Sequence, residues 1–198
     1  MIRVIFATGN RDKLREIREI LDPREFEIVS MKEAGYDIDI EETGTTFAEN
    51  ALIKARAIAK ASGCLTLADD SGLEIDAMDK QPGIYSARFL GHDTDYDYKN
   101  NYILERLKDV PEEKRTARYA CAVAAARPDG REETVTEYFE GRIGYEQKGT
   151  NGFGYDPIFY VPEYGKYAAE MTPEEKNAVS HRGKALRAMK KILEEKMI

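Results

Sequence analysis

One segment in the N-terminal half constrains the fold of this 198-residue chain more than any other. Thr46 and Glu49 have the spacing of a capping box, in which each residue caps the backbone of the other at a helix N-terminus. Apolar residues recur at helical spacing over 52–59, and Gly63 is a suitable C-terminal cap. The segment therefore predicts a helix that begins after Thr46 and ends at Gly63.

Two aspartates follow the apolar stretch that comes directly after this helix. Residues 64–68 indicate a buried strand that runs into Asp69 and Asp70, and residues 73–78 indicate a second strand. Because Ser71 and Gly72 are turn-forming residues, the pattern predicts a carboxylate pair on a bend between two strands.

The remaining apolar patterns alternate between strand and helix periodicity. They predict a strand at 3–7, a helix at 14–21, a helix at 95–107, strands at 119–126 and 134–139 joined by a turn at 128–130, a glycine-rich loop at 149–154, and a C-terminal helix that follows Thr172 and has a second start at Ser180. Since no repeat, linker or low-complexity segment interrupts this alternation, we predict a single α/β domain over residues 1–198.

Composition and charge narrow the functional classes. Hydrophobic residues make up 42% and charged residues 34% of the chain, which supports a packed core under a solvated surface. A net charge of −7 without a dense basic stripe argues against a nucleic-acid partner. The longest uncharged stretches, such as 119–126, are too short to span a membrane, and Cys64 and Cys121 in apolar stretches favour a reducing, cytoplasmic location.

The first candidate site is the polar loop between the opening strand and the first helix. Thr8, Gly9, Asn10 and Lys13 offer hydroxyl, amide and ammonium donors, which suit phosphate groups at a helix N-terminus. The alternative is an ordinary strand-to-helix turn capped by Asn10 or Asp12, since the chain has no P-loop pattern.

The second candidate site is acidic and comprises Glu41, Glu42, Asp69 and Asp70. Magnesium takes oxygen ligands, usually one or two carboxylates with waters and phosphates, and a carboxylate can also accept a proton from an attacking water. The four acids therefore fit a metal-bound triphosphate. The alternatives are that the glutamates are helix-entry acids and that the aspartates are turn residues.

The third candidate site combines residues 152–156 with Lys176, Ser180, His181 and Arg182. An aromatic ring between glycines can stack on a base, and the basic side chains can donate to carbonyl or phosphate oxygens. This pattern predicts a nucleobase pocket. The alternative is that the aromatic rings belong to the core and that the histidine is structural.

Six sequence blocks occur in one order along nearly the whole chain. They are Ala-Thr-Gly-Asn-Arg-Asp-Lys at 7–13, Glu-Glu-Thr-Gly-Thr-Thr-Phe-Ala-Glu-Asn at 41–50, Ala-Asp-Asp-Ser-Gly-Leu at 68–73, Pro-Gly-Ile-Tyr-Ser-Ala-Arg-Phe at 82–89, Gly-Phe-Gly-Tyr-Asp-Pro-Ile-Phe at 152–159 and Glu-Lys-Asn-Ala-Val-Ser-His-Arg at 175–182. In these blocks the chain resembles the inosine triphosphate pyrophosphatase family, also called the Ham1-like pyrophosphatases. Six ordered blocks are far more specific than any one of them.

The resemblance implies an elongated, twisted mixed β-sheet flanked by helices, two lobes with a central nucleotide-binding cleft, and a homodimer. It implies that Glu42 and Asp70 bind Mg²⁺, with Glu41 and Asp69 as further candidates, and that Asp70 is the catalytic general base. The substrate-binding residues that it implies are Thr8, Gly9, Asn10, Lys13, Lys54, Ser71, Arg88, Phe153, Gly154, Tyr155, Asp156, Lys176, His181 and Arg182.

The activity that the resemblance implies is hydrolysis of ITP, dITP and XTP to the monophosphate and pyrophosphate, which would cleanse the nucleotide pool. We expect a donor from His181 or Arg182 to meet the 6-oxo group of the base and to reject adenine. Two alternatives stay open at this point, a nucleotide-binding sensor without hydrolysis and a general phosphatase.

Overall fold

The strands of the computed structural model, which describes residues 2–197, form one mixed seven-stranded sheet. They are β1 (Ile2–Phe6), β2 (Phe26–Ser30), β3 (Thr66–Ile75), β4 (Thr116–Ala126), β5 (Glu132–Ile143), β6 (Phe159–Val161) and β7 (Lys166–Tyr167). Their order in the sheet is β2-β1-β3-β4-β5-β6-β7. β1 pairs in parallel with β2 and β3, whereas β6 is antiparallel to β5 and β7. The predicted mixed α/β fold is confirmed.

The helices begin and end close to the predicted positions. They are α1 (Arg11–Ile20), α2 (Phe47–Ser62), α3 (Tyr96–Arg106), α4 (Pro173–Val179) and α5 (His181–Ile192). The capping box of Thr46 and Glu49 is present at the start of α2, and Gly63 ends it with a left-handed φ of 69°. α5 begins directly after Ser180, as the predicted second start requires.

The predicted bend at Asp69 and Asp70 is wrong, because β3 runs without interruption from Thr66 to Ile75. Two acids beside a glycine are typical of a turn. Here, however, both carboxylates have polar partners inside the protein, so the strand continues through them. Successive side chains of a strand point to opposite faces, so Asp69 and Asp70 face different neighbours.

The described residues divide into two compact units, of which the first comprises 2–70, 121–137 and 182–197. Its apolar core takes side chains from β1, β3, β4, α1 and α5. The stripe predicted for the C-terminal helix is buried at Leu186, Met189 and Leu193, with Ile192 packed against the core. None of the helices within residues 2–197 is long and apolar enough to cross a bilayer.

The second unit comprises residues 71–120 and 138–181 and has a core of its own. This core includes the buried side chains of Leu73, Ile103, Tyr119 and Phe159. A buried arginine, Arg115, supports it by donating hydrogen bonds to backbone carbonyls at the end of α3 and the end of β5. The expectation that the whole chain is a single domain stays a prediction.

Candidate active site

The loop between β1 and α1 holds the first group of predicted phosphate-binding residues. The Asn10 side-chain oxygen accepts hydrogen bonds from the backbone amides of Asp12 at 2.9 Å and Lys13 at 3.1 Å, so Asn10 caps α1. The Asn10 backbone amide donates to Thr8 Oγ1 at 3.1 Å. Gly9 and Asn10 are exposed, and a phosphate bound here would compete with Asn10 for the amides of the helix N-terminus.

Asp69 lies in a buried network of ion pairs in the first unit. Lys13 Nζ is 3.1 Å from the Asp69 carboxylate, and Nε and Nη2 of Arg182 both donate to Asp69 Oδ2 at 3.2 Å. Arg182 Nη1 donates to Glu16 on α1. Burial acts to raise the pKa of Asp69, but the Lys13 and Arg182 charges outweigh it and hold this pKa well below its usual range. Asp69 is therefore ionised and held by protein cations.

Asp70 has a different partner, although it is the next residue in the strand. Asn50 Nδ2, on the buried face of α2, donates to Asp70 Oδ2 at 3.1 Å. The Asn50 oxygen accepts from the Gly44 amide at 2.8 Å, and a side chain at Gly44 would collide with that oxygen. Asn50 thus ties Asp70 to the loop that precedes α2.

Asn50 belongs to the site although it was not among the predicted site residues. It is fully buried on the helix face that also buries Ala51 and Ala55. A polar side chain on the apolar face of a predicted helix is costly to bury unless it has a specific partner. That exception to the helical pattern is the signal that could have identified Asn50 from the sequence.

Glu42 and Lys54 complete the charged group around Asp70. Lys54 Nζ forms an ion pair with Glu42 Oε1, and both side chains are mostly shielded from solvent. Burial raises the pKa of Asp70, and the Glu42 charge adds to this effect, although Lys54 opposes it. Glu41, by contrast, is exposed. The Glu42 carboxylate thus lies close enough to Asp70 to disfavour the ionised form of Asp70.

The carboxylates of this charged group can bind a divalent cation only if a bound molecule supplies further oxygen ligands. Within residues 2–197 there is no cluster of three or more His, Cys, Asp or Glu side chains that could hold a metal ion alone. Magnesium, however, commonly binds one or two carboxylates and takes its remaining oxygens from water and phosphates. A cation bound by both residues would offset the repulsion between the Asp70 and Glu42 carboxylates, so these two residues are suitable metal ligands.

In the second unit, Asp156 organises several of the residues predicted for the nucleobase pocket. Its Oδ1 accepts from the Tyr119 hydroxyl at 3.1 Å, and its Oδ2 accepts from Lys176 Nζ at 2.6 Å and from the Phe153 amide at 3.0 Å. Gly152 is required beside it, because φ is 71° and a Cβ there would lie 2.1 Å from Asp156 Oδ2. Asp156 is buried, and these contacts hold the residues predicted for the pocket in place around it.

His181 and Phe153 extend this group. The His181 ring stacks on the Tyr119 ring with centroids 4.7 Å apart and an interplanar angle of 8°. Lys176 Nζ lies 4.9 Å from the centre of the Phe153 ring, which is only half-buried. Four of the predicted pocket residues, Phe153, Asp156, Lys176 and His181, are therefore brought together, and Tyr119 joins them without having been predicted.

The other predicted substrate-binding residues of the second unit mostly contact other residues of the protein. Tyr155 is buried, and its hydroxyl donates to the Ser86 carbonyl at 2.6 Å, which matches the alternative of a core aromatic residue. Gly154, with φ of 67°, accepts a hydrogen bond at its carbonyl from Asn100. The Arg88 guanidinium packs over the exposed Tyr85 ring. Ser71 is half-buried in β3. A substrate contact for these four residues stays a prediction.

Comparison with known proteins shows similarity to the same family over almost the whole chain. The Ham1 family model matches residues 4–192. The chain is 48% identical over 192 residues to a dITP/XTP pyrophosphatase of Desulforamulus reducens, covering 97% of this chain and 96% of the relative. It is 46% identical over 194 residues to the dITP/XTP pyrophosphatase of Bacillus subtilis, covering 98% of each chain.

Solved structures agree with this match. A Ham1 protein from Coxiella burnetii is 42% identical and superposes with a TM-score of 0.88, covering 98% of this chain and 100% of that chain. The Ham1 protein of Staphylococcus aureus is 36% identical with a TM-score of 0.87, covering 97% and 98%. Sequence, fold and family model coincide, and the chain belongs to the Ham1 family.

Proposed function

We propose that this chain hydrolyses dITP, XTP and ITP to the monophosphate and pyrophosphate, and so removes non-standard purine nucleotides from the nucleotide pool. Relatives named dITP/XTP pyrophosphatase, 46–48% identical over nearly their full length, support this substrate class. The observation that carries the chemistry is the buried Asp70 carboxylate, which Asn50 orients beside Glu42 and Lys54.

The first unit supplies the groups for phosphate binding and hydrolysis. Lys13 and Lys54 bind phosphate oxygens, and Glu42 and Asp70 would hold Mg²⁺. Such an ion would supply positive charge that offsets part of the charge of the triphosphate. Asp70 is the general base that orients and deprotonates the attacking water, and the hydrogen bond from Asn50 fixes the position of its carboxylate.

The second unit supplies the groups for base recognition. The half-exposed Phe153 ring stacks on the purine, and His181 or Lys176 donates a hydrogen bond to the 6-oxo group. Adenine carries an amino group at that position, so a donor would face a donor and the base would be rejected. Arg182 was the other predicted donor; its contacts with Glu16 and Asp69 favour His181 for this role.

The experiment that tests this function identifies the products. Purified protein is incubated with dITP or XTP, with Mg²⁺ or with EDTA, and pyrophosphate and orthophosphate are measured while the nucleotide is resolved by chromatography. We expect monophosphate and pyrophosphate in equal amounts, and only with the metal. Orthophosphate as the first product would indicate a general phosphatase, and tight binding without turnover would indicate a sensor.

We further propose that the protein acts in the cytoplasm as a homodimer on free nucleotides, without a nucleic-acid or membrane partner. The net charge of −7 supports the absence of a nucleic-acid partner, because it disfavours binding to a phosphate backbone. Light scattering after size-exclusion chromatography tests the dimer. A mass near 45 kDa, twice the 22.5 kDa of one chain, is expected, and a mass of one chain would contradict it.

A further inference from the structure

Tyr119 contacts two of the predicted pocket residues at once, from a position fixed by the core of the second unit. It lies on β4, is 7% exposed, and packs at 4.6 Å between centroids against the buried Phe159 ring. Its own ring stacks on His181, and its hydroxyl donates to Asp156. One rigid side chain therefore joins the histidine to the carboxylate.

The stack on Tyr119 fixes the orientation of the His181 imidazole ring, which affects how this ring can bind a base. Because the two rings are within 8° of parallel at 4.7 Å, the His181 ring plane follows the plane of Tyr119. The directions in which the ring nitrogens can donate or accept hydrogen bonds lie in that plane. A hydrogen bond between the His181 ring and a substrate atom therefore has a defined direction.

The hydroxyl adds a second constraint through Asp156. A carboxylate that accepts from Tyr119, Lys176 and the Phe153 amide holds all three at fixed distances. Phenylalanine at position 119 would fill nearly the same volume and keep the stack, so the hydroxyl acts on Asp156 alone. A buried hydroxyl is costly unless it is hydrogen-bonded, and here its partner is a charged group that strengthens the bond.

We propose that Tyr119 is a positioning residue of the nucleobase site, which sets the ring plane of His181 and, through Asp156, the positions of Lys176 and Phe153. This inference rests on the proposed function of those residues in base recognition. It assigns Tyr119 no contact with the substrate. Its role is to reduce the freedom of the groups that make the contact.

The kinetic test uses Tyr119→Phe with Tyr167→Phe as the matched control. Tyr167 is 8% exposed in the same unit, and its ring packs against Tyr160, so the control also removes one tyrosine hydroxyl from a mostly buried residue. We expect Tyr119→Phe to raise the KM for dITP about tenfold, because hydrogen bonds to charged groups are among the stronger ones, with a smaller change in kcat. Tyr119→Phe should also lower the thermal midpoint more than Tyr167→Phe does, because it leaves the buried Asp156 with one donor fewer. An unchanged KM, or a change no larger than that of the control, would overturn the role of the hydroxyl.

A spectroscopic test follows the histidine itself without any substrate. The chain has two histidines, and His92 is exposed, so His92→Gln assigns the two imidazole ¹H–¹³C signals. The stacked ring should shift the His181 signal upfield. Tyr119→Phe should keep that shift, whereas Tyr119→Leu should abolish it and leave His92 unaffected. A His181 signal that is the same in wild type and Tyr119→Leu would overturn the stacking role.

The two tests separate this inference from the proposed function. If the wild type turned over neither dITP nor XTP, the proposed function would fail, and the His181 signal alone would then decide whether Tyr119 sets the ring plane. If the wild type turns over dITP, the KM of Tyr119→Phe shows whether the Tyr119 hydroxyl contributes to substrate binding. The His181 signal shows whether the Tyr119 ring sets the plane of the imidazole.

Discussion

The two units place their candidate functional side chains in different electrostatic settings. In the first unit, the carboxylates Glu42, Asp69 and Asp70 lie among several cations, and each charge has more than one neighbour of opposite or like sign. In the second unit, one buried carboxylate, Asp156, is surrounded by three donors and by aromatic rings. The first arrangement suits a charged, reacting triphosphate, and the second suits a planar base. We therefore expect first-unit variants to lower kcat and second-unit variants to raise KM or alter base preference.

Within the first unit, strand geometry gives two adjacent aspartates different partners and different roles. Asp69 meets Lys13 and Arg182 and has a lowered pKa, whereas Asp70 meets Asn50 and has a raised pKa that burial causes. Alternation along β3 turns the two side chains to opposite faces. Identical residues one position apart thus become a structural anchor and a candidate base.

The largest effect is expected for Asp70→Asn. Loss of a general base costs about 10²- to 10⁴-fold in rate, and loss of a metal ligand adds to it, so kcat for dITP should fall by at least about 10³-fold. The thermal midpoint should not fall, because burial already disfavours the ionised carboxylate. Pyrophosphate release and thermal unfolding check the two statements, and a kcat within tenfold of wild type would remove Asp70 as the base.

The next largest effect is a loss of stability in Asp69→Asn. Removing one partner of a buried ion pair costs about 3–5 kcal/mol, because Arg182 and Lys13 would keep their charges without a full counter-charge. Urea unfolding measures this loss, and Asp129→Asn, in an exposed pair with Arg131, is the control with a much smaller change. Equal unfolding midpoints for both variants would contradict the role of Asp69 as an anchor.

A moderate effect on affinity is expected for Lys176→Met in the second unit. The substitution keeps most of the side-chain volume but removes the ammonium group from Asp156 and from the Phe153 ring. KM for dITP should rise about tenfold or more, and kcat should change less. Lys166→Met removes a half-exposed ion pair with Glu175 in the same unit and should leave KM unchanged. A fall in kcat at constant KM would break the division between the two units.

The smallest effect is expected for Thr46→Ala, which removes an N-cap without touching either group of site residues. The Thr46 hydroxyl accepts from the Glu49 amide at 3.1 Å, and loss of such a cap costs about 1 kcal/mol. Chemical unfolding should show this loss, while kcat and KM for dITP should stay within twofold of wild type. A large kinetic effect would show that the start of α2 contributes directly to the site.

The sequence predicted best what depends on local chemistry. The ends of α2 follow from Thr46, Glu49 and Gly63, which act on backbone groups within four residues of themselves. The patterns do not predict β6 and β7, because strands of three and two residues are too short to show a clear periodicity. β2 was not predicted either, although its five residues alternate between buried and more exposed positions.

The sequence could not predict what depends on distant partners. The bend expected at Asp69 is replaced by a continuous strand because its cationic partners Lys13 and Arg182 are 56 and 113 residues away along the chain. The contact of Tyr119 with Asp156 spans 37 residues in the same way. A residue pattern can indicate which side chains carry chemistry, but only the fold determines which of them meet.

Base recognition by this protein is tested most directly by the ratio of kcat/KM for dITP over dATP, obtained by competition in one reaction with Mg²⁺. A site that relies on a required hydrogen bond to the base rejects the wrong analogue by about 10⁴-fold or more. We expect a ratio of that order for the wild type and a clearly lower ratio for Lys176→Met. Comparable efficiencies on dITP and dATP would contradict it.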